Sequence, residues 1–335
     1  MRLRRESADI ASATSPTEVD QSFFERSLHI LALSSLTVAQ PLLDLLSRQH
    51  EFFVVRRFDR FEIVALVVIL IFFVPAPFIV IEALLLRAPR SLKKTVHSLL
   101  IWSFCVVFSL LVLARLENLS AAVTIGMAFV LAGVATAAYS HVEAVRSFIG
   151  LLAIALEAVP AEYFLKPQVS RLVVRQTAPD LNLPPLMTRA QIVFVVFDEF
   201  YLSVLIDAKF EINRHRYPNL AALADRSTWF RGAVSPAENT GAAVPAILTG
   251  IEPASDLVPS VIDHPKNLFT LFGGSHRLWV DEPMTQLCPP ELNRKGTVQP
   301  SPWDRFAELA PDLGVVNLHL VLPHEWVELS LIHIS

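Results

Sequence analysis

The chain has 335 residues, of which 53% are hydrophobic and 18% charged, with a formal net charge of −4 and a mean hydropathy of +0.48. It is longer than one ordinary domain and too apolar to be wholly water-soluble. It lacks the basic excess that marks a nucleic-acid partner, and two cysteines exclude a disulfide framework.

Residues 1–26 are polar and open with Arg2, Arg4 and Arg5. They read as a cytoplasmic tail with little to bury, and no apolar core follows the arginines to make a secretory signal. A transmembrane region, residues 27–165, follows as five apolar segments. Residues 28–46 are the weakest, interrupted by Gln40, Pro41 and Asp44, and an interfacial placement competes with a span there. Residues 62–86 are the strongest, with Pro75 and Pro77 inside. Residues 97–114 and 119–139 are uninterrupted. Residues 147–165 carry Pro160 and Glu157, a carboxylate that is either functional within the membrane or interfacial. A spanning helix takes about 20 residues, and internal prolines are tolerated there. The expectation is a multi-pass integral membrane protein in a lipid bilayer.

Basic residues in the short loops set the orientation. With the N-terminus inside, nine fall on the inner side: Arg2, Arg4, Arg5, Arg26, Arg87, Arg90, Lys93, Lys94 and Arg146. Five fall outside: Arg48, Arg56, Arg57, Arg60 and Arg115. The excess puts everything after Leu165 outside the cytoplasm. Residues 166–190 form a linker with Pro167, Pro179, Pro184 and Pro185 and no sustained period.

Residues 191–328 read as the soluble part. Ile192, Val193, Phe194, Val195, Val196 and Phe197 predict a strand buried on both faces, of parallel-sheet type. It ends on Asp198 and Glu199, where open α/β sheets place ligands. Paired carboxylates there call for a cation to offset their repulsion. Because adjacent strand residues face opposite ways, both can ligate one ion only if the chain is already turning. The plainer reading is a solvated strand end with one acid capping the next helix. Asn219, Leu220, Leu223 and Ala224 predict a short amphipathic helix. Trp229, Phe230, Ala233 and Val234 predict a second strand. Thr240 then opens a helix, where backbone amides attract an anion and where threonine is also a plain N-cap. Arg277, Leu278, Trp279 and Val280 predict a strand ending in Asp281 and Glu282, and residues 315–322 another, running into Pro323 and His324.

The order of these pieces, an apolar strand ending in two acids, then Pro218-Asn219-Leu220, then a hydroxyl residue ahead of Leu248-Thr249-Gly250, resembles the sulfatase-like branch of the alkaline phosphatase superfamily over roughly the second half of the chain. The resemblance implies an N-terminal α-helical transmembrane bundle followed by an α/β domain with a mostly parallel sheet. It makes Asp198 and Glu199 ligands of a divalent metal ion, with calcium, manganese, magnesium and zinc all open. Thr240 falls on the nucleophile position and His324 on a position against the substrate's anionic group. Thr240 is followed by Gly241, Ala242, Ala243 and Val244, so the arginine of the sulfatase pattern is absent. A threonine there resembles the superfamily's phosphodiesterases and its phosphoethanolamine and phosphoglycerol transferases. Asp263-His264 reads as a solvated turn, Cys288 as a loop cysteine and His215 as a surface residue.

Residues 329–335 resemble a translated transposon mosaic end from library preparation. Native sequence is therefore expected to stop near Glu328 and the catalytic domain to be cut short. The functional expectation is a membrane-anchored, metal-dependent hydrolase or transferase acting on phosphate or sulfate esters, on lipid or glycan, outside the cytoplasm. The alternative is a non-catalytic membrane scaffold.

Overall fold

The computed structural model describes residues 16–49, 51–116, 119–156, 158–174, 186, 190–254, 257–296, 301–323 and 325–326. The chain divides into two compact units. One joins Met1–Arg175 to Gln299–Ser335, and the other is Gln176–Val298.

The first unit is a helix bundle. Five of its helices are long and apolar enough to cross a membrane: Phe23–Arg48, Arg60–Arg87, Arg90–Leu113, Ala121–His141 and Glu143–Leu165. This is a membrane protein. Phe23–Arg48 is the most buried of the five, which explains how the weakest span in hydropathy holds its place. Two of its polar residues have partners within the protein. Asp44 pairs with Arg48 at 2.9 Å and with Lys166 at 3.4 Å, and the Thr37 hydroxyl donates to the Leu33 carbonyl at 2.7 Å. Prolines have a visible local cost. A π-turn at Ser35–Ala39 precedes Pro41, and another at Ile69–Phe73 precedes Pro75 and Pro77. Each absorbs the ladder hydrogen bond that a proline nitrogen cannot make.

The second span starts on a capping box. The Asp59 carboxylate accepts from the Glu62 amide and the Glu62 carboxylate from the Asp59 amide, both at 2.8 Å. Glu62 is nevertheless buried, and its counter-charge comes from the far end of the chain: Arg305 Nε donates to Glu62 Oε1 at 2.9 Å, and Arg305 Nη2 donates to the same oxygen.

Arg305 stands on the helix Pro302–Val321, and here the structure corrects the sequence reading. Residues 315–322 were expected as a strand. Ser301 caps this helix in a capping box with Asp304, and Pro302 takes the first position, where its missing N–H costs nothing. Phe306, Leu309, Leu313, Val316 and Leu320 then recur at intervals of three and four and pack into the main core with Leu42, Leu46, Ile63 and Leu66. That period is helical. The apolar end alone looked like a strand because the stripe begins well before residue 315.

The second unit overturns the expected fold. Among its described residues there is no strand or sheet, only the isolated bridges Ile206–Ile212, Ser260–Gln286 and Leu278–Asn293. Its helices are the short Leu202–Leu205, Pro218–Ala224, Thr240–Thr249 and Leu268–Gly273. The α/β domain with a mostly parallel sheet, and with it membership of the sulfatase-like alkaline phosphatase superfamily, is therefore contradicted. Ile192 to Phe197 take no regular structure and are exposed, with Val193 at 88%. Strand propensity is expressed only against neighbours on the pleated surface, and no described residue forms a bridge to this run. Trp229 to Val234 and Arg277 to Val280 likewise form no strand. The pieces that carried the resemblance have local explanations. Pro218 is the first residue of a helix. Gly250 ends another in the left-handed conformation, φ 70°, which is the ordinary use of a glycine after a helix.

Replacing Arg305 by Met leaves the buried Glu62 carboxylate without its guanidinium. A loss of about 3–5 kcal/mol is expected, read as a lower unfolding midpoint of the full chain in detergent. Adding Glu62→Gln removes the charge but keeps an acceptor for the Asp59 amide, and most of the loss should return. An Arg305→Met protein as stable as the parent would show that the pair does not hold the helix.

Candidate functional site

Asp198, Glu199 and Thr240 lie in the second unit, Thr240 at the start of the helix Thr240–Thr249. Asn239 caps it, its side chain accepting from the Ala242 amide at 2.8 Å. The first intrahelical bonds run from Ala242 and Ala243 to the Asn239 carbonyl, so the amides of Thr240 and Gly241 stand ahead of the ladder, where a helix attracts anions. Pro245 sits inside the helix, and Thr249 donates its hydroxyl to the Pro245 carbonyl at 2.7 Å.

Thr240 is half-buried, and its hydroxyl donates to Asp198 Oδ1 at 2.9 Å across 42 residues of sequence. The same oxygen accepts from the Glu199 amide at 3.1 Å. Glu199 has φ 52°, left-handed backbone that costs a residue with a Cβ about 1–2 kcal/mol. The apolar run thus ends at Asp198 in a turn, the condition for both acids to serve one ion. Phe200 steadies the turn between Phe197, ring centroids 5.8 Å apart, and Tyr217 at 6.0 Å. Tyr217 adjoins the helix Pro218–Ala224, and the loop before that helix is closed by a two-pronged Arg214–Asp225 pair, 2.7 Å on each arm. Asp198 and Glu199 are exposed.

Two carboxylates and a hydroxyl are hard oxygen donors of the kind a magnesium-like ion accepts, with waters or substrate oxygens completing its shell. Among the described residues no cluster of three or more His, Cys, Asp or Glu could hold a metal ion by itself. His324 and Glu157 lie outside the described residues.

The remaining sequence candidates have structural partners. Asp263 Oδ2 accepts from the Val258 amide at 3.0 Å and closes a turn, and His215 is exposed. Asp281 pairs with Lys295 at 2.7 Å. Glu282 gathers a loop: one oxygen accepts from the Thr285 hydroxyl at 2.8 Å and the Leu287 amide at 2.9 Å, the other from the Cys288 amide at 2.9 Å. Cys288 is buried against this carboxylate. Burial, with the charges of Glu282 and Glu291 adding to it, pushes its thiol up to about 12.

Sequence reasoning missed a second constellation, inside the bundle of the first unit. Glu82, His97, Tyr139 and His29 come from four different spans and are all buried. Glu82 Oε1 meets His97 Nδ1 at 2.9 Å, His97 Nε2 meets the Tyr139 hydroxyl at 2.7 Å, and that hydroxyl meets His29 Nδ1 at 2.8 Å. Arg26 lies 3.5 Å from Glu82 Oε2. Arg146 donates to the Tyr139 and Ser140 carbonyls at 3.2 and 3.1 Å. The signal available was an ionisable residue inside each apolar segment. No family model, curated protein or solved structure matches the chain.

The raised thiol has a direct readout. At about pH 8 the Cys288 peptide should stay unalkylated by iodoacetamide in the folded protein and react promptly once denaturant exposes it. Rapid labelling in the folded state would show that the loop around Glu282 is open.

Proposed function

We propose that the protein is a membrane-anchored hydrolase or transferase acting on phosphate or sulfate esters, with Thr240 as nucleophile. The observation that carries this reading is the 2.9 Å hydrogen bond from the Thr240 hydroxyl to Asp198 at the start of a helix. An unassisted hydroxyl is a poor nucleophile at neutral pH, and a carboxylate within hydrogen-bond reach can take its proton as the oxygen attacks. The helix N-terminus offers donors for the ester's anionic oxygens. In the proposed step Thr240 Oγ bonds to phosphorus or sulfur as the bond to the ester oxygen breaks, and the threonine proton passes through Asp198 to that oxygen, so the ester's alcohol leaves. Water or an acceptor alcohol then resolves the phospho- or sulfothreonine. Asp198 and Glu199 would hold a divalent ion, which supplies neutralisation of the acids and of the ester's charge.

The excess of basic residues on the N-terminal side, nine against five, supports an N-terminus in the cytoplasm and a site outside it. A reporter fused after Leu165 is then expected to be active only outside the cytoplasm. Activity of that fusion only inside would reverse the orientation.

The competing reading, a non-catalytic scaffold, is favoured by the exposure of Asp198 and Glu199. Turnover decides between them. A phosphodiester and a sulfate ester are offered to the parent, Thr240→Ala, Thr240→Ser and Asp198→Asn, with metal content measured alongside. Thr240→Ala should abolish turnover while leaving the fold intact, because Asn239 keeps the cap. Thr240→Ser should retain part of it. Asp198→Asn should lower both rate and metal content, a lost general base alone costing about a hundredfold or more. Equal turnover by Thr240→Ala and the parent would rule out the threonine mechanism, and a parent inert toward both esters would favour the scaffold.

A further inference from the structure

The chain of groups inside the bundle has an order that limits what it can be. The Glu82 carboxylate only accepts, so His97 donates to it from Nδ1. A neutral His97 then presents a lone pair at Nε2, and the Tyr139 hydroxyl donates into it. The Tyr139 oxygen is thereby left to accept from His29 Nδ1. Every donor points the same way, from the first span through the fourth and third to the second. At the far end of the chain His29 is buried, and its Nε2 lies beside Gly150 of the fifth span, where an added Cβ would stand 3.7 Å from it.

All the members lie within about two turns of one end of their spans. Arg26 and His29 are near the start of Phe23–Arg48, Glu82 near the end of Arg60–Arg87, and His97 near the start of Arg90–Leu113. Tyr139 is near the end of Ala121–His141 and Arg146 near the start of Glu143–Leu165. The charged groups around the chain are Arg26 and Glu25 from the first span and Arg146 from the fifth.

We infer that His29, Tyr139, His97 and Glu82 form an intramembrane proton relay that ends on the Glu82–Arg26 ion pair. A proton from solvent binds His29 at Nε2. The Nδ1 proton of His29 passes to the Tyr139 oxygen while the Tyr139 proton passes to His97 Nε2, and the Nδ1 proton of His97 passes to Glu82. Both histidines and the tyrosine finish neutral, and Glu82 becomes a carboxylic acid. That acid no longer offsets the charge of Arg26, so arrival of the proton loosens the first span from the second at this end of the bundle. A purely structural network would tie the same helices together but would deliver no proton to Glu82 on acidification.

The full chain in lipid nanodiscs is acidified from about pH 8 to about pH 5, the range in which imidazoles change charge, and followed by infrared difference spectroscopy. A carbonyl stretch of a buried carboxylic acid is expected to appear and to be absent in Glu82→Gln. After a rapid pH jump its appearance should slow by about a hundredfold in Tyr139→Phe, which keeps the ring and removes the shuttling hydroxyl. His29→Gln, which keeps hydrogen-bonding capacity but cannot relay, should slow it comparably and stands in if Tyr139→Phe loses helix content. No Glu82-dependent band across that range, or bands that rise at the parent's rate in the folded relay variants, would overturn the inference.

Discussion

A carboxylate removed from water must find a positive partner or give up its charge, and the bundle meets this demand twice. Glu62, at the head of the second span, is met by Arg305 from a helix that follows all five spans. Glu82, near the tail of the same span, is met by Arg26, with His97 donating to its other oxygen. The second span is thus fixed at both ends by charge, while its middle is fixed by aliphatic packing through Leu66, Val67, Leu70 and Ile71. The π-turn at Ile69–Phe73 lies between these anchors and leaves the span intact, because a helix bound at both ends can absorb a wider turn without fraying.

The two ends differ in what surrounds the acid. Glu62 shares its carboxylate with a capping box and a guanidinium, groups that hold their protons at any physiological pH. Glu82 shares its carboxylate with an imidazole, and through it with a phenol and a second imidazole. The first arrangement is a lock and the second is capable of change, although both answer the same desolvation cost.

The spans were legible because hydropathy is additive along the chain, and about 20 apolar residues leave few other readings. The network was not legible. Its members are separated by up to 110 residues, and each looks in isolation like a flaw in an apolar segment. The helix Pro302–Val321 was misread from its last third, although the intervals from Phe306 to Leu320 were on the page. In the second unit the short helices at Pro218 and Thr240 were legible from prolines, caps and terminal glycine, all local signals. The sheet was inferred from residues 192–197, whose composition suits a strand but cannot supply the neighbours a strand needs. The proximity of Asp198 and Thr240 was expected from a family resemblance that the fold does not support, so their contact rests on the turn at Glu199 and the cap at Asn239.

The span of sequence between Glu62 and Arg305 has a consequence for how the protein is made. The guanidinium is synthesised 243 residues after the carboxylate it serves. At about 5–20 residues per second the ribosome delivers it roughly 12–50 s later. The rest of the second span, the three spans after it and the whole of the second unit emerge in that interval. Throughout it Glu62 needs water or a proton in place of Arg305, and Phe58 lacks the Phe306 ring that packs on it at 5.6 Å. The bundle therefore closes after its spans have been made, and a nascent chain stalled before residue 305 displays a carboxylate and an aromatic surface that the finished protein hides.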